Sequence, residues 1–165
     1  MEVLYLFEIG DKVVYPMQGA GIIKNIEEKE FSGEKQEYYI IKMLKSNMEI
    51  MIPLDRISHS NLRLISDSST LSSVLFSFQT KDSSNEEILP SKQRYQTNMQ
   101  KLKSGSLKES AEVFYDLTLI NKEKPLNSSE KQMLMNARKF LIDEMTLIKK
   151  ISENEAEDLL DSSII

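Results

Sequence analysis

Few side chains in this sequence could do covalent or acid–base chemistry. His59 is the only histidine among 165 residues, and there is no cysteine. Without cysteine there is no Cys-His nucleophile and no thiolate-bound zinc, and any Ser-His-Asp relay would have to be built on His59. His59 stands between Ser58 and Ser60 in what reads as a surface turn. No Asp-x-Asp or Glu-x-x-His spacing offers a carboxylate metal site. Gly19-Ala20-Gly21 has the look of a phosphate loop but lacks a third glycine, a following helix and the Lys-Ser/Thr pair. It reads as a backbone device between a turn and a strand. The run Glu27-Glu28-Lys29-Glu30 gathers carboxylates, yet nothing nearby would desolvate them and raise a pKa, so it reads as an exposed strand end. The chain is therefore read as a binding protein, not an enzyme, with no metal or other cofactor.

Charge gives the first hint of what is bound. The net charge is −5, which argues against a general nucleic-acid binder. The distribution is uneven, however. Residues 91–150 hold twelve Lys/Arg against seven Asp/Glu, whereas residues 1–90 hold nine against fourteen. The last fifteen residues carry five acids and no base. A positive block lies between two negative ones, a pattern that suits phosphates or a merely solvated helical surface equally well. The first nine residues include an apolar patch, but Glu2 and Glu8 argue against a signal peptide, and no apolar run approaches a membrane span. With cysteine absent, a cytoplasmic protein that does not engage membranes is expected.

The elements that must position these groups divide into two kinds. Val13-Val14-Tyr15, Ala20 to Ile26, Tyr38 to Leu44 and Met48 to Ile52 are short strand-like runs. Pro16-Met17-Gln18-Gly19, Ser32-Gly33-Glu34 and Lys45-Ser46-Asn47 supply the turns, and Pro53 closes the last run. Met51 breaks the alternation of that run, being apolar where a solvated face would be polar. It either meets a partner or folds under its own domain. Beyond Asp67 the apolar period becomes helical. Helices are expected from Ser68 to Phe78, from Ser91 to about Ser104 with Gly105 as its stop, from about Leu107 to Lys122, and after Asn127. Ser106-x-x-Glu109 and Asn127-x-x-Glu130 read as capping boxes. Tyr95, Met99 and Leu102 read as the core side of the second helix, and Leu134, Ala137, Leu141, Met145 and Ile148 as that of the fourth. Residues 79–90 read as a loop, and 151–165 as an acidic tail or a short fifth helix. The fold expected is α+β: a small, bent antiparallel sheet or barrel over 1–67, then an all-α domain over 68–165.

The residues also carry a family likeness. Phe7-Glu8-Ile9-Gly10-Asp11-Lys12-Val13-Val14-Tyr15-Pro16 followed by Gly19-Ala20-Gly21 resembles the opening of the CarD/CdnL family, a module shared with transcription-repair coupling factors. Ile26-Glu27, Phe31-Ser32-Gly33, Tyr38-Tyr39 and Ile52-Pro53 continue it. In the second half Arg94-Tyr95-x-x-Asn98-x-x-Lys101-Leu102-x-Ser104-Gly105, Ala111-Glu112-Val113, Asp116-Leu117 and Leu126-x-x-x-Glu130-Lys131-x-Met133-Leu134-x-x-Ala137-Arg138 match as well. The likeness spans residues 7–150 and favours a stand-alone regulator over a helicase fragment. It leaves Met1 to Leu6 as an extra segment or an early start codon.

The resemblance implies a Tudor-like β-barrel that docks on the RNA polymerase β subunit. It further implies a helical domain that meets promoter DNA and stabilises the open complex. Docking would use Lys29, Glu49, Met51 and Pro53 along a sheet edge. Of the family's two basic docking positions, Lys29 keeps its charge and Met51 does not. DNA would be met by Ser91, Lys92, Arg94, Lys101 and Lys131. The family's wedging tryptophan corresponds here to Ser91, and a neighbouring arginine to Gln93. A serine cannot unstack a base step, so weak, non-sequence-specific contact by a monomer is expected, effective only once polymerase tethers the domain. The alternative is a polymerase-bound protein–protein adaptor with no significant DNA contact.

Overall fold

The computed structural model describes residues 5–81 and 88–164 and falls into two compact units, residues 1–65 and 66–165. The N-terminal unit is one antiparallel sheet of five strands: β1 (Lys12–Tyr15), β2 (Gly19–Phe31), β3 (Glu34–Met43), β4 (Glu49–Pro53) and β5 (Arg63–Leu64), with a 3-10 helix at Leu54–His59. The spatial order is β4-β3-β2-β1-β5. Of the expected sheet or barrel, the structure has the small antiparallel sheet, not closed into a barrel, with β4 and β5 as its margins. The α+β class itself holds.

The turn chemistry explains the meander. Ser32 and Gly33 both adopt positive φ, 53° and 83°, which a two-residue hairpin needs to match strand twist, and Phe31 faces Glu34 across it. This tight closure lets β2 run to Phe31, well past the expected Ile26, with Glu28 and Glu30 exposed and Glu27 and Lys29 half-buried. A register shift between Ile23 and Asn25 leaves Lys24 as the bulged residue and sharpens the bend. Val13, Ile23, Tyr39, Ile41, Met43 and Ile52 fill the inner face with Phe7, Ile57 and Leu62. Phe7 meets the Tyr39 ring edge-on at 5.8 Å, and its N–H donates to the Tyr39 hydroxyl at 3.1 Å.

The C-terminal unit holds α1 (Ser68–Thr80), α2 (Ser91–Ser104), α3 (Leu107–Glu123), α4 (Ser128–Lys149) and α5 (Glu153–Ser162). Asp67 accepts from the Thr70 N–H at 2.7 Å and starts α1, while Gly105, at φ 75°, stops α2. α3 is the central helix: Leu107, Ala111, Val113, Phe114, Tyr115 and Leu117 are all buried, and Phe78 of α1 stacks on Tyr115 at 5.0 Å. Of the two expected capping boxes, Ser106 and Asn127 do accept from the N–H groups of Glu109 and Glu130. Neither glutamate reaches back. Glu109 bonds Ser104, and Glu130 is claimed by Arg94. The complete box starts α5, where Ser152 and Glu155 bond each other's backbone. The acidic tail is therefore a helix, seated through buried Ala156 and Leu160. The buried sides of α2 and α4 also differ from expectation. Asn98 joins Leu102 inside while Tyr95 and Met99 are half-buried, and Met133 takes the place given to Leu134.

A Cβ at Gly21 would lie 2.8 Å from the Lys42 carbonyl oxygen and 2.9 Å from an Ile41 methyl. Gly21→Ala should therefore destabilise the N-terminal unit by about 1–3 kcal/mol, as overpacking does, lowering its urea midpoint. An unchanged midpoint would contradict this packing.

A candidate docking edge and a basic helical surface

β4 ends the sheet, and its register with β3 decides which of its groups face outward. The Met43 N–H donates to the Met48 carbonyl at 3.1 Å, so those two residues form a hydrogen-bonded pair. Antiparallel pairs alternate. Ile41/Ile50 and Tyr39/Ile52 are then bonded pairs, and Lys42/Glu49 and Ile40/Met51 are not. The backbone N–H and C=O groups of Glu49 and Met51 consequently point away from β3, toward the open margin. Pro53 lacks an N–H and terminates the row.

The pleat separates the side chains. Ile50 and Ile52 turn inward to the core, and Glu49 and Met51 turn outward, Met51 with 43% exposure. Met51 is thus not folded under its own domain. It lies across from Ile40, which is 3% exposed. Glu49 pairs with Lys24 at 2.6 Å, and the hydrogen bond with Glu49 raises the Lys24 ammonium above its ordinary pKa. Lys29 lies on the outward face of β2, its Nζ 3.1 Å from Glu27. Hydrogen bonds from Lys29 and then Asn25 hold the Glu27 carboxyl below its usual value. Such an exposed pair adds little stability and can be surrendered to a partner.

Sequence reasoning missed an aromatic pair on this outward face. Phe31, 53% exposed, packs edge-on to Tyr38 at 5.8 Å, and Tyr38 is opposite Pro53. The signal was present in the hairpin: with Phe31 facing Glu34, an i and i+2 count along each strand puts both rings on one face. β5 is a poorer docking margin. It has two residues, and Arg63 donates to the Leu64 carbonyl at 3.1 Å, covering part of its own edge.

The residues expected at DNA meet different fates. Ser91 and Lys92 are exposed in the first turn of α2, and Lys131 is exposed in the first turn of α4. Lys101 is half-buried and 3.1 Å from Glu112. Arg94 is the exception, being engaged within the unit. Its Nε and Nη2 donate to the two Glu130 oxygens at 2.6 and 2.7 Å, and its Nη1 donates to the Leu89 carbonyl at 3.0 Å. The Glu130 side chain is 1% exposed. Arg94 therefore ties α2 to α4. Among the described residues no acidic or histidine cluster could hold a metal ion, and no helix is long and apolar enough to cross a membrane.

Cutting a buried pair strands one charge. Arg94→Ala should cost the helical unit about 3–5 kcal/mol, whereas Lys92→Ala should cost less than about 0.5 kcal/mol. Equal unfolding midpoints for the two variants would contradict the assignment of Arg94.

Comparison with known proteins agrees with this two-part organisation. A family model described as the CarD-like/TRCF RID domain matches residues 7–66, and one described as the CarD C-terminal domain matches residues 73–161. The chain is also similar to the YdeB protein of Bacillus subtilis (strain 168), provisionally designated a transcription factor. The two are 51% identical over 150 residues, which cover 91% of this chain and 97% of that protein. With both models matched in tandem and half the residues shared with that relative, the chain belongs to the CarD family.

Proposed function

We propose that this protein is a cytoplasmic transcription regulator that docks on the RNA polymerase β subunit through the β4 margin. The helical unit then rests against promoter DNA, stabilising the open complex during initiation. The observation that carries the reading is the placement of Glu49 and Met51: outward backbone groups and outward side chains on the same two residues. A strand of the partner can satisfy those N–H and C=O groups. Met51 replaces a basic docking group, so its contribution is apolar burial beside Tyr38 and Phe31, with Lys29 supplying the remaining positive charge.

The DNA side rests on less. Lys92 and Lys131 are exposed cations able to neutralise phosphates without reading bases. Ser91 offers no wedge, Arg94 is engaged by Glu130, and Lys101 is shared with Glu112. These observations also favour the second reading, a polymerase-bound adaptor whose helical unit recruits protein.

Two measurements apply: the first tests the docking that both readings share, and the second separates them. Met51→Asp should weaken binding of the full chain to the polymerase β subunit at least tenfold, about 1.4 kcal/mol. Phe76→Asp, at a still more exposed apolar residue but on α1, should leave it unchanged. Equal affinity of both variants would refute docking through β4. In promoter complexes, replacing Lys92 and Lys131 by glutamine should flatten the logarithmic salt dependence by roughly 2, about 0.9 for each phosphate contact. An unaltered slope would favour the adaptor.

A further inference from the structure

The outward face of the sheet beside β4 carries three charges whose pairing runs against the register. Lys42 on β3 is directly opposite Glu49 on β4. An antiparallel pair that exchanges no hydrogen bonds brings its side chains closest, so Lys42 and Glu49 are natural ion-pair partners. The structure pairs Glu49 elsewhere. Its Oε1 lies 2.6 Å from Nζ of Lys24, which stands two strands away on β2. Lys24 is the bulged residue at the register shift between Ile23 and Asn25, and bulges re-aim side chains. Here the bulge directs an ammonium group across the outward face of β3.

The consequence falls on Lys42. Its side chain is exposed, and among the described residues it makes no ion pair. Its stem is longer than one strand spacing, about 4.8 Å, so the ammonium reaches the β4 margin beside the outward N–H and C=O of Glu49. Two ammonium groups share one carboxylate there, and one positive charge is left uncompensated at the start of the open row. A strand that fills this row meets that charge. Complementary charge at such a contact sets partner choice and register more than raw affinity, and the complement of a lysine is a carboxylate.

We propose that Lys42 is a specificity-determining cation of the β4 margin, receiving an acidic side chain of the docked strand, and that Lys24 keeps it available by sequestering Glu49. Without Lys24 the Glu49 carboxylate turns to Lys42 and cancels its charge. This inference rests on docking through β4, and it adds Lys42 and Lys24 to the residues that decide which strand docks. The test is a pair of double-mutant cycles on the full chain, read as affinity for the polymerase β subunit. Lys42→Gln should weaken binding about fivefold, the upper range for an exposed charge pair, whether position 49 is Glu or Gln. Lys24→Gln should weaken it by a similar factor beside Glu49 but less than about twofold in the Glu49→Gln background, a coupling that independent sites do not show. Full affinity of Lys42→Gln, or a Lys24→Gln loss that persists in the Glu49→Gln background, would overturn the proposal. Met51→Asp, measured alongside, separates the two levels. If it weakens binding while Lys42→Gln does not, this inference alone falls; if neither does, docking through β4 falls with it.

Discussion

The β3–β4 register is the constraint on which the account depends. An open sheet has two margins, and here one is blunted by its brevity and by Arg63, while the other runs five residues to a proline. A slip of one residue between β3 and β4 would exchange the two faces. Ile50 and Ile52 would leave the core, Met51 would enter it, and different backbone groups would face out. The inner face prevents this, because Ile41, Ile52 and Tyr39 are almost completely buried and tolerate no such exchange. The core thus dictates what the margin presents, and an interaction surface is specified by residues that never touch a partner.

In the helical unit the corresponding point is where the charge goes. Residues 91–150 are rich in cations, yet Arg94 is committed to Glu130, Lys101 to Glu112 and Arg138 to Asp161 at 2.5 Å. The last of these comes from α5, so the acidic C-terminal helix neutralises part of the block that precedes it. Hydrogen bonding to Asp161 raises the Arg138 guanidinium above its ordinary pKa. Lysines in first turns escape such pairing because their side chains project from helix starts into solvent. Formal charge counted along the chain overstates the cationic surface, and the surviving cations suit a supporting contact better than an independent grip on DNA.

The strands, the turn types and most helix bounds were legible because local chemistry determines them. Ser32-Gly33 prescribes a tight hairpin, Gly105 a helix stop, and Pro53 a strand end. The outward position of Met51 was foreshadowed by its break in alternation, although sequence left two explanations open. What stayed hidden needs partners distant in sequence. That Arg94 meets Glu130, 36 residues on, follows from how α2 and α4 pack and not from any spacing. The burial of Asn98 in place of Tyr95 likewise follows from the direction from which α3 approaches. The openness of the sheet was equally invisible, since β5 has only two residues with which to close it.

Amide hydrogen exchange with and without the polymerase β subunit tests the central claim most directly, because it reads the margin's own N–H groups. The account predicts that the Glu49 and Met51 amides, fast in the free protein, become strongly protected in the complex while those of β5 do not change. Unchanged exchange along β4, with protection arising at β5 or on the helices instead, would contradict it.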